Sequence, residues 1–449
     1  MNSLRARVLP VTQVWLDLDA SPVHAARVRG EIQLWIIGAG PAALALADAC
    51  CRRGVRVGMV APEPHAAWMP NYAMWRDDAE QLGVGEHVQV SWSRARADFA
   101  GGARNLDRGY ALLDDAALQR SWHTSCAEAG MRVAHERVEE ILHDDEGVEL
   151  VCASGARLRG CLVVDASGHQ SRFVEREPGP PPAYQVAWGE QWRVPELDAE
   201  VQDTVTFMDW TAADEREDED QLPPTFLYTM PLDRDRVFVE ETVLAARLER
   251  PPAALFEPLA ARLQRRLERQ GFERLGDAPL ELERCIIPMG TPLPRGDQRT
   301  LAFGGAASMV HPATGYTITN VLRRRERVAD AIATELESWV GPGVPSQRIW
   351  KAIWTTQEVQ AWRLYGFGLE ILCDFDRAGT DRFFSEFFEL PDQHWRSFVS
   401  ADVPSPKLMA TMLRYYASVS RPIRSRLSAA LLSSEGWRMF RGFTGLARG

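Results

Sequence analysis

Leu34-Trp35-Ile36-Ile37-Gly38-Ala39-Gly40-Pro41-Ala42-Ala43 is the stretch that decides the fold. Four uncharged apolar residues in a row read as a parallel strand buried on both faces. The glycine turn follows at once. Leu44 to Arg53 then reads as a helix stopped by Gly54, and Val55 to Val60 as a second strand. Strand, glycine turn, helix and strand in this order form a dinucleotide fingerprint. Gly38 allows the tight turn, Gly40 lets the backbone approach a pyrophosphate, and Ala43 stands where the third glycine would pack helix on strand. The start of the helix offers its amides and partial positive charge to the phosphates. An acid should end the second strand and bind the ribose hydroxyls. The strand ends at Ala61, and the nearest acid is Glu63, slightly late.

Further along, the chain departs from simple NAD dehydrogenases. About 100 residues of mixed pattern lead to Cys161-Leu162-Val163-Val164-Asp165-Ala166-Ser167-Gly168, a strand ending in an acid and a glycine. Thr300-Leu301-Ala302-Phe303-Gly304-Gly305-Ala306-Ala307 is a third such strand end. His311-Pro312-Ala313-Thr314-Gly315-Tyr316 follows it, then a helical pattern from Ile318 to Trp339. Each is an ordinary strand-to-turn junction when taken singly. All three in order imply one nucleotide domain interrupted by an insert, as in two-domain flavoproteins that hold extended FAD. The turn opening the last helix would favour an anionic reduced flavin. The expected class is therefore α/β: a Rossmann-like FAD-binding domain (32–175 and 284–340) around a β-sheet substrate domain (176–283). An N-terminal extension (1–31) and a helical C-terminal region (341–449) complete it. Expected cofactor-binding residues are Gly38, Ala39, Gly40, Pro41, Ala42, Ala43, Glu63, Asp165, Gly304, Gly305, Ala306, Thr314, Gly315 and Tyr316.

The inserted region is strand-like and rich in aromatics, as in Tyr184-Gln185-Val186-Ala187-Trp188-Gly189 and Val205-Thr206-Phe207-Met208-Asp209-Trp210. A sheet covering the flavin and walling an apolar cavity is the natural reading. Asp209, Glu240 and Glu241 interrupt otherwise apolar runs, and burying an unpaired carboxylate is costly. On a strand Glu240 and Glu241 point to opposite faces, so one of them faces the cavity or a partner. A carboxyl in an apolar cavity has a raised pKa and can act as a general acid. The plainer alternative is an ion pair with an arginine such as Arg236.

The 449 residues are 45% hydrophobic and 25% charged, with 33 Gly and 28 Pro, which excludes wholesale disorder, collagen and coiled coil. The net charge of −11 argues against nucleic acid as a partner. Seven cysteines without a C-x-x-C or a histidine cluster point to buried thiols in a reducing compartment, with no metal site. No run of about 18 apolar residues reads as a spanning helix, and residues 1–30 lack the apolar core of a signal peptide. Asp214 to Asp220, six acids around Arg216, reads as a solvated loop. Pro404 to Gly449 carries eight basic residues against the single acid Glu435, a formal +7 that leaves −18 for residues 1–403. Leu408, Met412, Leu413 and Tyr416 lie at helical spacing beside these arginines, and Leu427, Leu431, Leu432, Trp437 and Phe440 continue the pattern. Such a segment either lies in an anionic membrane surface or packs on the body with its arginines solvated.

Taken together, these motifs make the chain resemble the flavin-dependent lycopene cyclases of plants and cyanobacteria from about residue 34 onward. The likeness rests on the GAGPAA turn, WMPNYAMW (Trp68 to Trp75), LVVDASGH, YQVAWG, FMDW, PPTFLYTMP, FVEET (Phe238 to Thr242), IPMG around Pro288 and GGAASMVHPATGY, followed by FGLEIL (Phe367 to Leu372) and RFFSEFFEL (Arg382 to Leu390). The resemblance implies a fold similar to FAD monooxygenases and geranylgeranyl reductases. It implies cyclisation of the linear ends of lycopene to β- or ε-rings, an intramolecular-lyase isomerisation without net redox. Reduced FAD is required, with NADPH as electron source. The family's functional glutamates fall on Glu240 and Glu241. Glu240 is the expected acid or charge stabiliser, and Asp209 is a further candidate. Because lycopene is dissolved in lipid, the resemblance also implies a cytoplasmic protein peripheral to a membrane, with the C-terminal region in contact. A redox flavoenzyme on the same fold and a non-catalytic carotenoid binder are the rivals, and the FVEET stretch argues against both. Three departures stand out. The family's W-P-N-N-Y-G-V-W is altered at Trp68 to Trp75, Ala61 replaces the acid at the second strand end, and Arg323-Arg324-Arg325-Glu326 makes the last helix more charged.

Overall fold

The computed structural model describes residues 32–213, 222–339, 343–400 and 404–432. Leu34–Ile37 is a strand with all four residues buried. It runs parallel to Leu162–Asp165 on one side and Val57–Ala61 on the other, with Leu34 opposite both Leu162 and Val57. Leu301–Ala302 and Arg132–His135 complete a five-stranded parallel sheet. The three strand ends noted in the sequence thus lie side by side, and their loops emerge at one edge. The helix begins at Pro41, earlier than expected, because a proline in the first turn gives up no hydrogen bond. Nine of the eleven residues of Pro41–Cys51 are buried. The helices Asp115–Glu128 and Ile318–Ser338 pack against it.

The second layer is a seven-stranded sheet ordered Glu281–Met289, Ala183–Arg193, Arg236–Ala246, Thr225–Pro231, Thr204–Asp209, Arg94–Phe99, Gly102–Leu106. This revises the expected boundaries. Two of its strands come from residues 94–106, inside the segment assigned to the first part of the nucleotide domain, and a third crosses the boundary at 283/284. The cause is non-local pairing: Arg94–Phe99 lies parallel to Thr204–Asp209, a contact that no local pattern announces. Helix Phe256–Arg269 covers the outer face of this sheet with Leu259, Leu263 and Leu267. The inner face looks toward the glycine turn. A three-stranded sheet, Ala73–Trp75, Val88–Trp92 and Tyr110–Leu113, closes one side.

From Gln347 onward the described chain is helical, as expected. Thr355 and Glu358 form a capping box at the head of helix Thr356–Cys373. Helices Ser405–Ser418 and Arg421–Leu431 bury Leu408, Tyr415, Ile423 and Leu427 against the body. Their main apolar stripe is therefore a packing face. Arg424 caps the preceding helix through the carbonyls of Tyr416, Ala417 and Val419, and Arg426 binds Asp376. Leu413, Leu431 and Leu432 stay exposed. Trp437, Phe440 and the acidic run at 214–220 lie outside the described residues. Among the described residues, no helix is long and apolar enough to cross a membrane. All seven cysteines are free, five of them buried.

Candidate active site

Gly38 is where strand becomes turn, with φ +107°. A Cβ there would stand 2.6 Å from the carbonyl oxygen of Ala166, so only glycine lets the first and fourth-in-sequence strand ends of the parallel sheet meet. Gly40, by contrast, has nothing within 4 Å of the place a Cβ would take. That open space belongs to a cavity of about 630 Å³ lined by Gly38, Ala39, Gly40, Pro41 and Ala42 at one end and by Glu240 and Glu283 at the other. Gly305, Thr314, Gly315 and Tyr316 line it between. A second cavity of about 650 Å³ shares Gly38, Ala39 and Gly40 and runs toward Glu63, Glu136 and Arg172. Helices Pro41–Cys51 and Ile318–Ser338 both start at the first cavity, and no side chain caps either start. Their free amides and dipoles favour anionic groups there.

These features fit an extended dinucleotide. The cradle at Gly40 would take a pyrophosphate, and Glu63 stands on the wall where a ribose would lie. The ring system would rest against Thr314 to Tyr316. Gln185 adds an independent sign: its Oε1 is buried in the same wall with no hydrogen-bond partner. Four expected cofactor residues, however, stand behind this wall. Ala43 is fully buried within the first turn of helix Pro41–Cys51. Gly304 lets the third strand end pack on Ala42. Asp165 is fully buried and accepts hydrogen bonds from Ser167 N, at 2.9 Å, and Ser171 Oγ, which fixes its own turn. The carbonyl of Ala306 accepts from Arg176 at 2.8 Å.

The three expected carboxylates are separated in the same way. Glu241 is fully buried on the outer face of the large sheet, where Arg266 grips it with two bonds of 2.8 and 2.9 Å. Asp209 binds Thr211 N and Gln270 Nε2, each at 2.8 Å, and fixes a turn away from the cavity. Only Glu240 faces the cavity. Arg236, the alternative partner, instead pairs with Asp233. Glu240 accepts one bond, from Thr242 Oγ1 at 2.7 Å. Burial chiefly, and then the charge of Glu283, raise its pKa to about 8, against the pull of that hydroxyl.

Aromatic rings share the cavity with this carboxyl. Tyr72, Tyr110, Tyr228, Phe238 and Tyr316 line the cavity, and the hydroxyls of Tyr110 and Tyr316 meet at 2.5 Å. His311, inside the HPATGY stretch, lies behind the loop. Its Nδ1 accepts from Thr314 N at 3.1 Å. Burial first, and then Arg324, push its pKa down to about 3, so it braces the loop as a neutral ring. The added charges on the last helix are structural. Arg323 pairs with Asp78, Arg324 lies over the Trp354 ring and reaches Glu358, and Arg325 reaches the carbonyl of Leu82. Glu283, Asn71, Tyr110 and Tyr228 were not singled out from sequence. For Glu283 the available signal was alternation: Glu281, Glu283 and Cys285 share one face of their strand and line the cavity together.

Comparison with known proteins follows the same line. The family model described as "Lycopene cyclase protein" matches residues 33–427. A lycopene beta cyclase of Synechococcus elongatus is 35% identical over 394 residues, covering 87% of this chain and 94% of that protein. A chloroplastic lycopene beta cyclase of an Oncidium hybrid cultivar is 33% identical over 423 residues, covering 92% and 87%. Among solved structures, a geranylgeranyl bacteriochlorophyll reductase-like protein of Thermoplasma acidophilum superposes with a TM-score of 0.65 at 14% identity, over 89% of this chain and 98% of that one. A probable FAD-dependent monooxygenase of Pseudomonas aeruginosa gives 0.56 at 17% identity, over 78% and 99%.

Proposed function

We propose a reaction from the premise that this chain belongs to the lycopene cyclase family: it closes the linear ends of lycopene into rings, as a step of carotenoid biosynthesis. The observation that carries the reading is the placement of Glu240, a carboxyl of raised pKa among aromatic rings, in the same cavity as the glycine turn. Glu240 in its acid form delivers a proton to the terminal double bond and leaves a tertiary carbocation. Tyr110, Tyr228 and Phe238 line the same cavity, and their rings stabilise the charge as it moves during ring closure. The bound substrate and cofactor must together keep water from the cation, since water would trap it as an alcohol. The cofactor we assign is FAD, held by Gly38 to Ala42, Glu63, Gly305 and Thr314 to Tyr316; the fold shared with a probable FAD-dependent monooxygenase and the cradle at Gly40 support it. Bound and reduced at the expense of NADPH, it supplies an electron-rich, anionic ring without net redox, since substrate and product are isomers.

The substrate is dissolved in lipid, so we also propose a peripheral contact with the cytoplasmic face of a membrane. Leu413, Leu431 and Leu432 are exposed on the same two C-terminal helices, or at their ends, as the exposed cations Lys407, Arg414 and Arg421, which supports this placement. Purified protein incubated anaerobically with lycopene in liposomes tests the reading, with oxidised or chemically reduced FAD and chromatographic detection of carotenes. Cyclic carotene formed only with reduced flavin, without its net oxidation, is expected. Unchanged lycopene under both conditions, or product that consumes NADPH in equal amount, refutes it.

A further inference from the structure

The cavity holds a second carboxyl whose place is set by strand register. Glu240 lies opposite Gly189 on one neighbouring strand, and Gly189 lies opposite Glu283 on the next. The two glutamates therefore share one face of the sheet with a glycine between them. Strands about 4.8 Å apart put their Cα atoms roughly 10 Å apart, a gap that a six-membered ring can span. No side chain could replace that glycine quietly: its Cβ would run into the ring of Phe238 and come within 3.3 Å of Glu283 Cβ.

The two carboxyls are supported differently. Both oxygens of Glu283 accept from Asn71, one from the backbone N–H at 3.3 Å and the other from the side-chain amide. Two donors suit a carboxylate. Glu240 has the single hydroxyl of Thr242 and faces Tyr110, Tyr228 and Cys285 besides Glu283. Glu283 in turn faces Asn71, Glu281, Tyr72, Asp115 and Cys285. Like charges in one cavity disfavour double ionisation, so a single proton resides on the less supported partner, Glu240.

We propose that Glu283, standing across Gly189 from Glu240 and clamped by Asn71, is the base that takes the ring proton. This assignment rests on the cyclase reading above. Glu240 gives its proton to the terminal double bond, whose π pair becomes the new C–H bond. The next double bond attacks the tertiary cation, forming the ring bond and shifting the charge into the ring. A ring C–H bond then breaks, its electron pair becomes the ring double bond, and the proton passes to Glu283. Glu240 ends as carboxylate and Glu283 as acid. Proton exchange with solvent resets both, and nothing is oxidised or reduced.

The test is cyclisation in deuterium oxide, with lycopene in liposomes and reduced FAD. Wild-type protein places deuterium in each ring it forms. Glu283→Gln retains flavin and loses ring formation by about 100-fold or more, yet recovered lycopene gains deuterium, because protonation and its reversal continue. Glu240→Gln loses both signals. Full ring formation by Glu283→Gln overturns the assignment. So does loss of deuterium entry in that variant with flavin still bound, which would place Glu283 before protonation. Glu283→Asp serves if the glutamine variant does not fold: ring formation slowed more than deuterium entry supports the role, and equal slowing overturns it. Wild-type protein that makes no ring removes the cyclase reading itself, an outcome distinct from any variant's.

Discussion

The carboxyl of Glu241 is held by two bonds from a buried guanidinium, and that of Glu240, one residue earlier, by a single hydroxyl. Adjacent strand residues look to opposite faces, so one sequence pair serves two purposes. Arg266→Met leaves Glu241 charged and alone in the interior. It should cost about 3–5 kcal/mol in urea unfolding, and adding Glu241→Leu should recover most of that loss. Glu240 carries the opposite dependence, on pH. Its pKa is raised from the ordinary 4.5 to about 8 in the folded state. As pH rises between those values the unfolded chain ionises first, so the stability contributed by the protonated folded form is lost across that window. Glu240→Gln should therefore gain in Tm relative to wild type from pH 5 to pH 9, by a few degrees in differential scanning fluorimetry. For wild type, cyclisation should fall as pH rises through about 8, because the acid form is the working form. The glutamate pair was legible in sequence because charges interrupt an apolar run. Glu240 was already the expected acid, but that Glu241 turns outward into an ion pair was not legible, because its partner Arg266 comes from a helix folded over the sheet. Glu283 was hidden for a related reason: its meaning lies in what stands two strands away.

Among the elements, those read best were the parallel strands, whose burial on both faces writes an uninterrupted apolar run into the sequence. The glycine turn and the last helix were equally plain. Arg94–Phe99 was not, since it alternates charged and apolar residues and its partner Thr204–Asp209 is distant in sequence. The turn itself offers a sharp test. Gly38→Ala puts a methyl against the Ala166 carbonyl and forces a side chain into φ +107°. Strain of about 1–3 kcal/mol is expected. The loop after Leu162–Asp165 should shift, and flavin retained after gel filtration should fall at least tenfold. Gly40→Ala meets no protein atom and tests the cradle alone. Thermal stability without flavin should be near wild type, while added FAD should stabilise the variant less.

On the scale of the whole molecule, the helical C-terminal third was foreseen as a region, but its apolar stripe proved to face the body. The membrane contact proposed here thus narrows to a few side chains. Leu413→Glu with Leu432→Glu should lower co-sedimentation with anionic liposomes several-fold and leave the soluble fold intact by circular dichroism. Binding should also weaken with salt, since exposed arginines attract lipid headgroups within a Debye length. The pocket is assembled from widely spaced stretches of chain. Gly38 closes on Ala166, Gly304 on Ala42, and Tyr316 on Tyr110. On the ribosome, the glycine turn emerges early, but the last of the pieces that seal the pocket emerges only with Tyr316. On the proposed FAD reading, flavin capture then waits until the chain has been made past Tyr316. A nascent chain stalled before Thr300 should remain colourless, and the yellow of bound flavin would mark a polypeptide that has been made past Tyr316.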